Sequence, residues 1–164
     1  MMLDTAFMIS AFVTLFVVID PIGLAPLFVA LTQGMSAAER RRIAVRACVL
    51  SLILLTLFAA FGEAVLGFIG ISMPAFRIAG GILLFLTALD MLFERRTKRR
   101  EDQSEEETLS DDPSVFPLAI PLIAGPGAIA SVILLTGQSS GLLGFSIVLG
   151  IAAFVLLIVF ALFL

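Results

Sequence analysis

The sequence predicts an all-α protein that crosses a membrane several times. Of its 164 residues 60% are hydrophobic, and its mean hydropathy is +1.17, which is far above that of an ordinary soluble domain. Several apolar runs exceed the ~18 residues that mark a membrane-spanning helix. The runs are continuous rather than alternating, which favours helices over strands.

Five apolar segments are visible in the sequence, at residues 5–31, 43–68, 74–93, 115–136 and 142–164. The ten basic residues mark the connections between them: four lie at 40–46, five at 95–100, and only Arg77 lies elsewhere. Because basic connections stay on the cytoplasmic side, we expect 32–46 and 94–114 to be cytoplasmic and the N-terminus to be outside. Residues 94–114 combine a basic and an acidic block, and we expect a disordered loop there.

The first segment contains an acidic residue where a span should be most apolar. Asp20 falls near the middle of the segment, where a charge costs at least ~2.5–3.5 kcal/mol. Asp is a favoured N-cap, and Pro is favoured as the first helical residue. Asp20-Pro21 therefore predicts a new helix starting in mid-membrane, with a break at 19–23 that also involves Gly23 and is followed by Pro26.

The fourth segment has a similar interruption. Its prolines and glycines include Pro117 and Pro121, and Gly125-Pro126-Gly127 predicts a second half-helix that begins at Pro126. When the two segments are aligned, Gly23 matches Gly127 and Thr32 matches Thr136.

Two interrupted spans, one at the start of each half, are typical of inverted-repeat transporters. We therefore divide the chain into a first three-span repeat (1–93), the charged loop (94–114) and an incomplete second repeat (115–164). The last residues continue an apolar run without a polar flank, and we expect that a sixth span is missing from this sequence. Prolines and glycines that only kink the helices are the alternative.

Two stretches resemble signature motifs of the MarC family of bacterial inner-membrane proteins: DPIGLAPLF at 20–28 and PLAIPLIAGPGAI at 117–129. The resemblance covers nearly the whole chain. It implies a bacterial inner-membrane location, six spans and, for some relatives, transport of neutral amino acids. It brings no agreed binding residues with it.

Three other charged residues lie in or beside the spans. Glu63 and Arg77 flank the second connection, where they either pair or extend separately to the interface. Asp90 lies near the cytoplasmic end of the third segment, where it is an interfacial residue or part of a relay with Asp20.

The composition excludes several kinds of chemistry. The chain has no histidine and one cysteine, Cys48, so we expect neither an enzyme nor a metal or other cofactor. The expected partners are the bilayer and a small-molecule solute; a homo-oligomer is left open, and no nucleic acid is expected.

The sequence is compatible with three functions. The first is transport of a small neutral solute such as an amino acid, bound at the midplane by Asp20, Pro21, Gly23, Pro26, Gly125, Pro126 and Gly127. The second is a scaffold or regulator that acts through the charged loop. The third, an aspartyl protease using Asp20 and Asp90, requires the two carboxylates to be adjacent. The sequence favours transport.

Overall fold

The computed structural model describes residues 5–93, 95, 112–139 and 141–164, and these residues form helices. In chain order the helices are α1 (Thr5–Ile19), α2 (Pro21–Leu31), α3 (Ala37–Phe68), α4 (Met73–Leu92), α5 (Ser114–Ile123), α6 (Pro126–Gln138) and α7 (Gly141–Phe163). The predicted all-α membrane class is confirmed, although the loop predicted at 94–114 lies almost entirely outside the described residues.

Five candidate spans lie within the described ranges. Four are long apolar helices: Thr5–Leu31 (α1 and α2 together), α3, α4 and α7. The fifth is the pair α5–α6, which is bent by 56°. The broken spans are therefore the first and the fourth, as the sequence predicts.

The N-terminal end of α3 differs from the prediction. The apolar segment begins at 43, but the helix begins at Ala37, so most of the expected loop 32–46 is helical. A capping box explains the early start: the backbone N–H of Ser36 donates to Glu39 Oε2 (2.8 Å), and the backbone N–H of Glu39 donates to Ser36 Oγ (3.3 Å). The four arginines at 40–46 are therefore presented on a helix.

The core is centred on α3 and α7, which pack against each other. Each of them also packs on both halves of one broken span: α3 on α5 and α6, and α7 on α1 and α2. The fully buried side chains include Leu15, Phe28, Leu55, Val132 and Val155. Both interrupted helices are thereby held by the central pair, which shields their irregular backbone from lipid.

Helix α4 lies at the edge of the bundle. It packs on α6 over more of its length than on α3, and Gly80 is the buried residue of this fully described helix. A Cβ at Gly80 would lie 2.9 Å from Leu134 Cδ1, so the missing side chain permits the close approach of α4 and α6.

Candidate functional site

The first break is confined to Asp20, between α1 and α2. Its backbone is left-handed (φ 59°), and its carboxylate Oδ1 accepts a hydrogen bond from the backbone N–H of Gly23 at 3.0 Å. Pro21 is buried and opens α2, where an N–H would have no helical acceptor. The side chain of Asp20 thus replaces a missing backbone acceptor, and the predicted cap is present.

The two halves of this span remain one continuous segment. The N–H of Asp20 donates to Phe16 (2.9 Å), and the N–H of Leu24 donates to the carbonyl of Asp20 (3.1 Å). Gly23 leaves room for the cap, since a Cβ there would collide with the Asp20 carboxylate. Pro26 lies inside α2 on its exposed side, away from the packed core.

The second break, at Ala124–Gly125 between α5 and α6, is wider. Pro126 begins α6 as predicted, but no side chain caps this helix, because Gly125 occupies the N-cap position. A Cβ at Gly125 would lie 2.5 Å from the carbonyl oxygen of Pro121. Glycine is therefore required for the close approach of two backbone segments.

The segment before this break is not a regular α-helix. Helix α5 has wide turns of the π type, such as the bond from Ala124 N–H to Ala119 O (2.9 Å), and two extended residues, Phe116 and Ile120. These two residues each precede a proline, Pro117 and Pro121. A residue before proline is driven out of the α region by the proline ring, which explains both interruptions.

The fold brings the two breaks together. A Cβ at Gly127, in the first turn of α6, would lie 3.0 Å from Val18 Cγ1 and 3.9 Å from Leu84 Cδ2. Val18 is only two residues before Asp20. The half-buried carboxylate of the first break and the uncapped start of α6 therefore belong to the same region of the bundle.

Pro126 also lines a cavity of about 830 Å³ that extends along α6. The cavity lies between α3, α4 and α6, and every residue that lines it is apolar. Its walls include Phe58, Phe61, Val65, Phe76, Leu83, Ile129, Ala130 and Ile133.

The remaining charged candidates lie away from the two breaks. Helix α4 passes Gly127 at Leu84, so Arg77 and Asp90 are displaced along α4 by about 10 Å in opposite directions. Glu63 and Arg77 are both exposed, and these two described residues form no ion pair with each other. Glu63 and Arg77 are thus not joined to each other, and the relay between Asp20 and Asp90 stays a prediction.

Two contacts anchor the end of the bundle that carries the arginines. Arg46 Nη1 lies 2.7 Å from Asp112 Oδ2 and connects α3 to the chain two residues before α5. Hydrogen bonds from Ser114 lower the pKa of Asp112 against the opposing effect of desolvation, and the charges of Arg46 and Arg42 lower it further. The guanidinium of Arg40 lies 5.8 Å from the centroid of the Phe28 ring, which stacks on Phe163 at 4.1 Å.

Sequence reasoning missed the neighbours that join the two breaks. Val18 and Leu84 are ordinary apolar residues, and nothing in their local sequence indicates that they meet Gly127. The sequence does indicate the two extended residues of α5, since each directly precedes a proline. The capping box of α3 was also readable, as Ser36 followed by Glu39.

Comparison with known proteins places these features in one family. A family profile described as "MarC family integral membrane protein" matches residues 5–164. A UPF0056 membrane protein of Methanocaldococcus jannaschii is 45% identical over 139 residues, which cover 84% of this chain and 61% of the relative. The UPF0056 membrane protein YvbG of Bacillus subtilis is 39% identical over 156 residues, covering 93% of this chain and 74% of the relative.

A third relative, from Archaeoglobus fulgidus, is 38% identical over 135 residues, which cover 82% of this chain and 63% of the relative. The chain thus spans roughly three-fifths to three-quarters of the length of these relatives. No solved structure shows significant similarity to it. The match over 5–164 and the level of identity show that this chain belongs to the MarC family of integral membrane proteins.

Proposed function

We propose that this chain transports small neutral solutes, such as amino acids, through a site between the two breaks. The main support is the proximity of the breaks, in which Gly127 of α6 faces Val18, two residues before Asp20. One break contributes a carboxylate, and the other contributes the uncapped N-terminus of a helix. This combination has the charge pattern of a zwitterion's binding site.

The two ends of an amino acid match the two breaks. The first amides of α6 have no side-chain acceptor, and a helix N-terminus attracts a carboxylate through its N–H groups and its dipole. The first break carries the Asp20 carboxylate, and a carboxylate is the side-chain group whose charge suits an ammonium group. The substrate carboxylate would therefore bind α6, and its ammonium group would bind Asp20.

The packing pattern supports an inverted repeat around this site. Helix α3 packs on both halves of the second broken span, and α7 packs on both halves of the first. Exchanging the two halves of the chain would interchange these contacts, as expected for repeats related by a two-fold axis in the membrane plane. With the arginine-rich end in the cytoplasm, we place the N-terminus outside and the protein in a bacterial inner membrane.

Transport into proteoliposomes tests the proposal with a matched set of variants. Uptake of a panel of labelled neutral amino acids is measured for wild type, Asp20→Asn and a deletion of 96–111. Asn tolerates the left-handed backbone and retains an oxygen that accepts from Gly23, so this variant removes the charge and keeps the cap. We expect wild type and the deletion to transport, and Asp20→Asn to lose most of its uptake.

Equal uptake by wild type and Asp20→Asn would contradict a role for the carboxylate. The scaffold alternative predicts the opposite ranking in a cellular assay, because it requires the loop rather than Asp20. The Arg46–Asp112 contact gives that alternative a physical basis, since it joins the end of the loop to α3.

A further inference from the structure

The cavity between α3, α4 and α6 shares Pro126 with the proposed solute site and extends from there along α6 past Ile129 and Ile133. Ala130 and Ile133 form its floor and are 5% and 6% exposed. Phe61 and Val65 form its rim and are 60% and 55% exposed. In a chain that spans a bilayer, a rim of exposed apolar side chains faces lipid, so the cavity is a groove that opens sideways.

The position of the groove in the membrane follows from its walls. On α3 it extends from Leu54 to Leu66, close to the end of that helix, and on α4 from Phe76, close to its beginning. The groove therefore occupies the half of the bilayer on the side of the α3–α4 connection. Its length along α3, 12 residues or about 18 Å, is close to the thickness of one leaflet's hydrocarbon layer.

The chemistry of the walls restricts what can occupy the groove. If nothing entered this open groove of about 830 Å³, the apolar side chains that line it would lack packing partners. Water does not relieve this, because a buried water requires polar partners and every lining side chain is apolar. A charged or zwitterionic solute is excluded for the same reason.

We infer that the groove binds an acyl chain of a membrane phospholipid from that leaflet. The acyl chain would enter between α3 and α4, lie along Phe58 and Phe76, and reach Pro126 at the second break. The bilayer supplies such chains at high concentration, and no polar group is needed to hold one. Bound lipid would thus contact the residue at which α6 begins, and this inference does not depend on which solute the protein transports.

Tryptophan fluorescence provides a direct test, because these 164 residues include no Trp and no Tyr. Leu83→Trp places one indole in the groove, and Phe85→Trp places one on the exposed side of the same helix, about 3 Å away in depth. Each variant is reconstituted in vesicles of phosphatidylcholine with increasing fractions of brominated acyl chains. Bromine quenches an indole that it contacts.

A groove-filling substitution distinguishes a bound chain from bulk lipid. Ala130→Phe occupies the floor, and Ile129→Phe is a second filling variant in case the first does not fold. We expect brominated chains to quench both reporters, and we expect filling to remove most of the quenching at position 83 while leaving position 85 unchanged.

Two results would overturn the inference. An unquenched indole at 83 would show that a protein segment or a second copy covers the groove. Quenching at 83 that persists after filling would show that the reporter senses only the surrounding bilayer.

Discussion

The two breaks differ in how the chain starts a new helix within a span. At the first break the backbone departs from the helix at one residue, and the Asp20 carboxylate caps the next helix within a span that stays continuous. At the second break the chain bends by 56°, two residues of α5 are extended, and α6 starts on a glycine without a side-chain cap. The Asp20 side chain thus allows a compact first break. At the second break no side chain caps α6, so the backbone N–H groups of its first turn can donate to another group.

The difference also concerns what holds each break. The first depends on a side chain and on the space left by Gly23. The second depends on the contact of Gly125 with the backbone of Pro121. Side chains can rotate away from an added atom, and a backbone carbonyl within a packed helix cannot. Substitutions should therefore have unequal effects at the two breaks.

The largest effect is expected for Gly125→Ala. The new Cβ would lie 2.5 Å from the Pro121 carbonyl oxygen, and relief would require movement of α5 relative to α6. We expect a loss of about 3 kcal/mol, at the upper end of the cost of overpacking, or failure to fold. The measurement is unfolding by SDS in mixed micelles, followed by circular dichroism. Gly81→Ala, which meets nothing within 4 Å, is the control; equal stability of the two variants would contradict the close approach.

The next effect distinguishes geometry from charge at the first break. Asp20→Ala removes the cap. It also places an alanine, which has no side-chain hydrogen bond to offset the strain, in a left-handed conformation. The lost cap and the left-handed backbone each cost about 1 kcal/mol, so the free energy of unfolding should fall by about 2 kcal/mol. Asp20→Asn should remain within about 0.5 kcal/mol of wild type, because Asn tolerates this conformation and can accept from Gly23. If both variants lose the same stability, the charge rather than the cap stabilises the break.

A smaller effect tests whether the breaks touch. Gly127→Ala should cost about 1 kcal/mol, because the new methyl group meets Val18 Cγ1 at 3.0 Å and a side chain can yield. Val18→Ala should make room for it. In a double-mutant cycle the combined variant should therefore be more stable than the sum of the single effects. Additive losses would show that the breaks lie further apart.

The smallest effect is expected at the Arg46–Asp112 contact, where the side chains are 49% and 36% exposed. Asp112→Asn should reduce stability by no more than about 0.5 kcal/mol. Because the pKa of Asp112 is lowered in the folded protein, its contribution is present above the unfolded value of about 3.9 and is lost as the pH falls through the folded value. The difference between wild type and variant should thus be constant near neutral pH, begin to decrease near pH 4 and disappear below the folded pKa. A difference that persists below the folded pKa would contradict an origin in the charge of the carboxylate.

Much of this architecture could be predicted because local chemistry governs it. Asp20-Pro21 specifies a helix start, since a carboxylate acceptor is followed by a residue without an N–H. Pro126 does the same for α6. The irregular α5 was predictable in principle from its two prolines, whose rings restrict the preceding residues.

By itself, the sequence determined the membrane class, the five candidate spans and the positions of both breaks, because apolar length, capping and proline geometry act over a few residues. Only the tertiary structure decided that Val18, Leu84 and Gly127 meet, and that α4 leans on α6 and leaves a groove beside α3. Inside a bilayer every helix surface is apolar, so hydrophobicity does not identify which faces pack. That choice depends on the shapes of side chains distant in the chain, such as Gly80 against Leu134, and becomes visible once the helices are assembled.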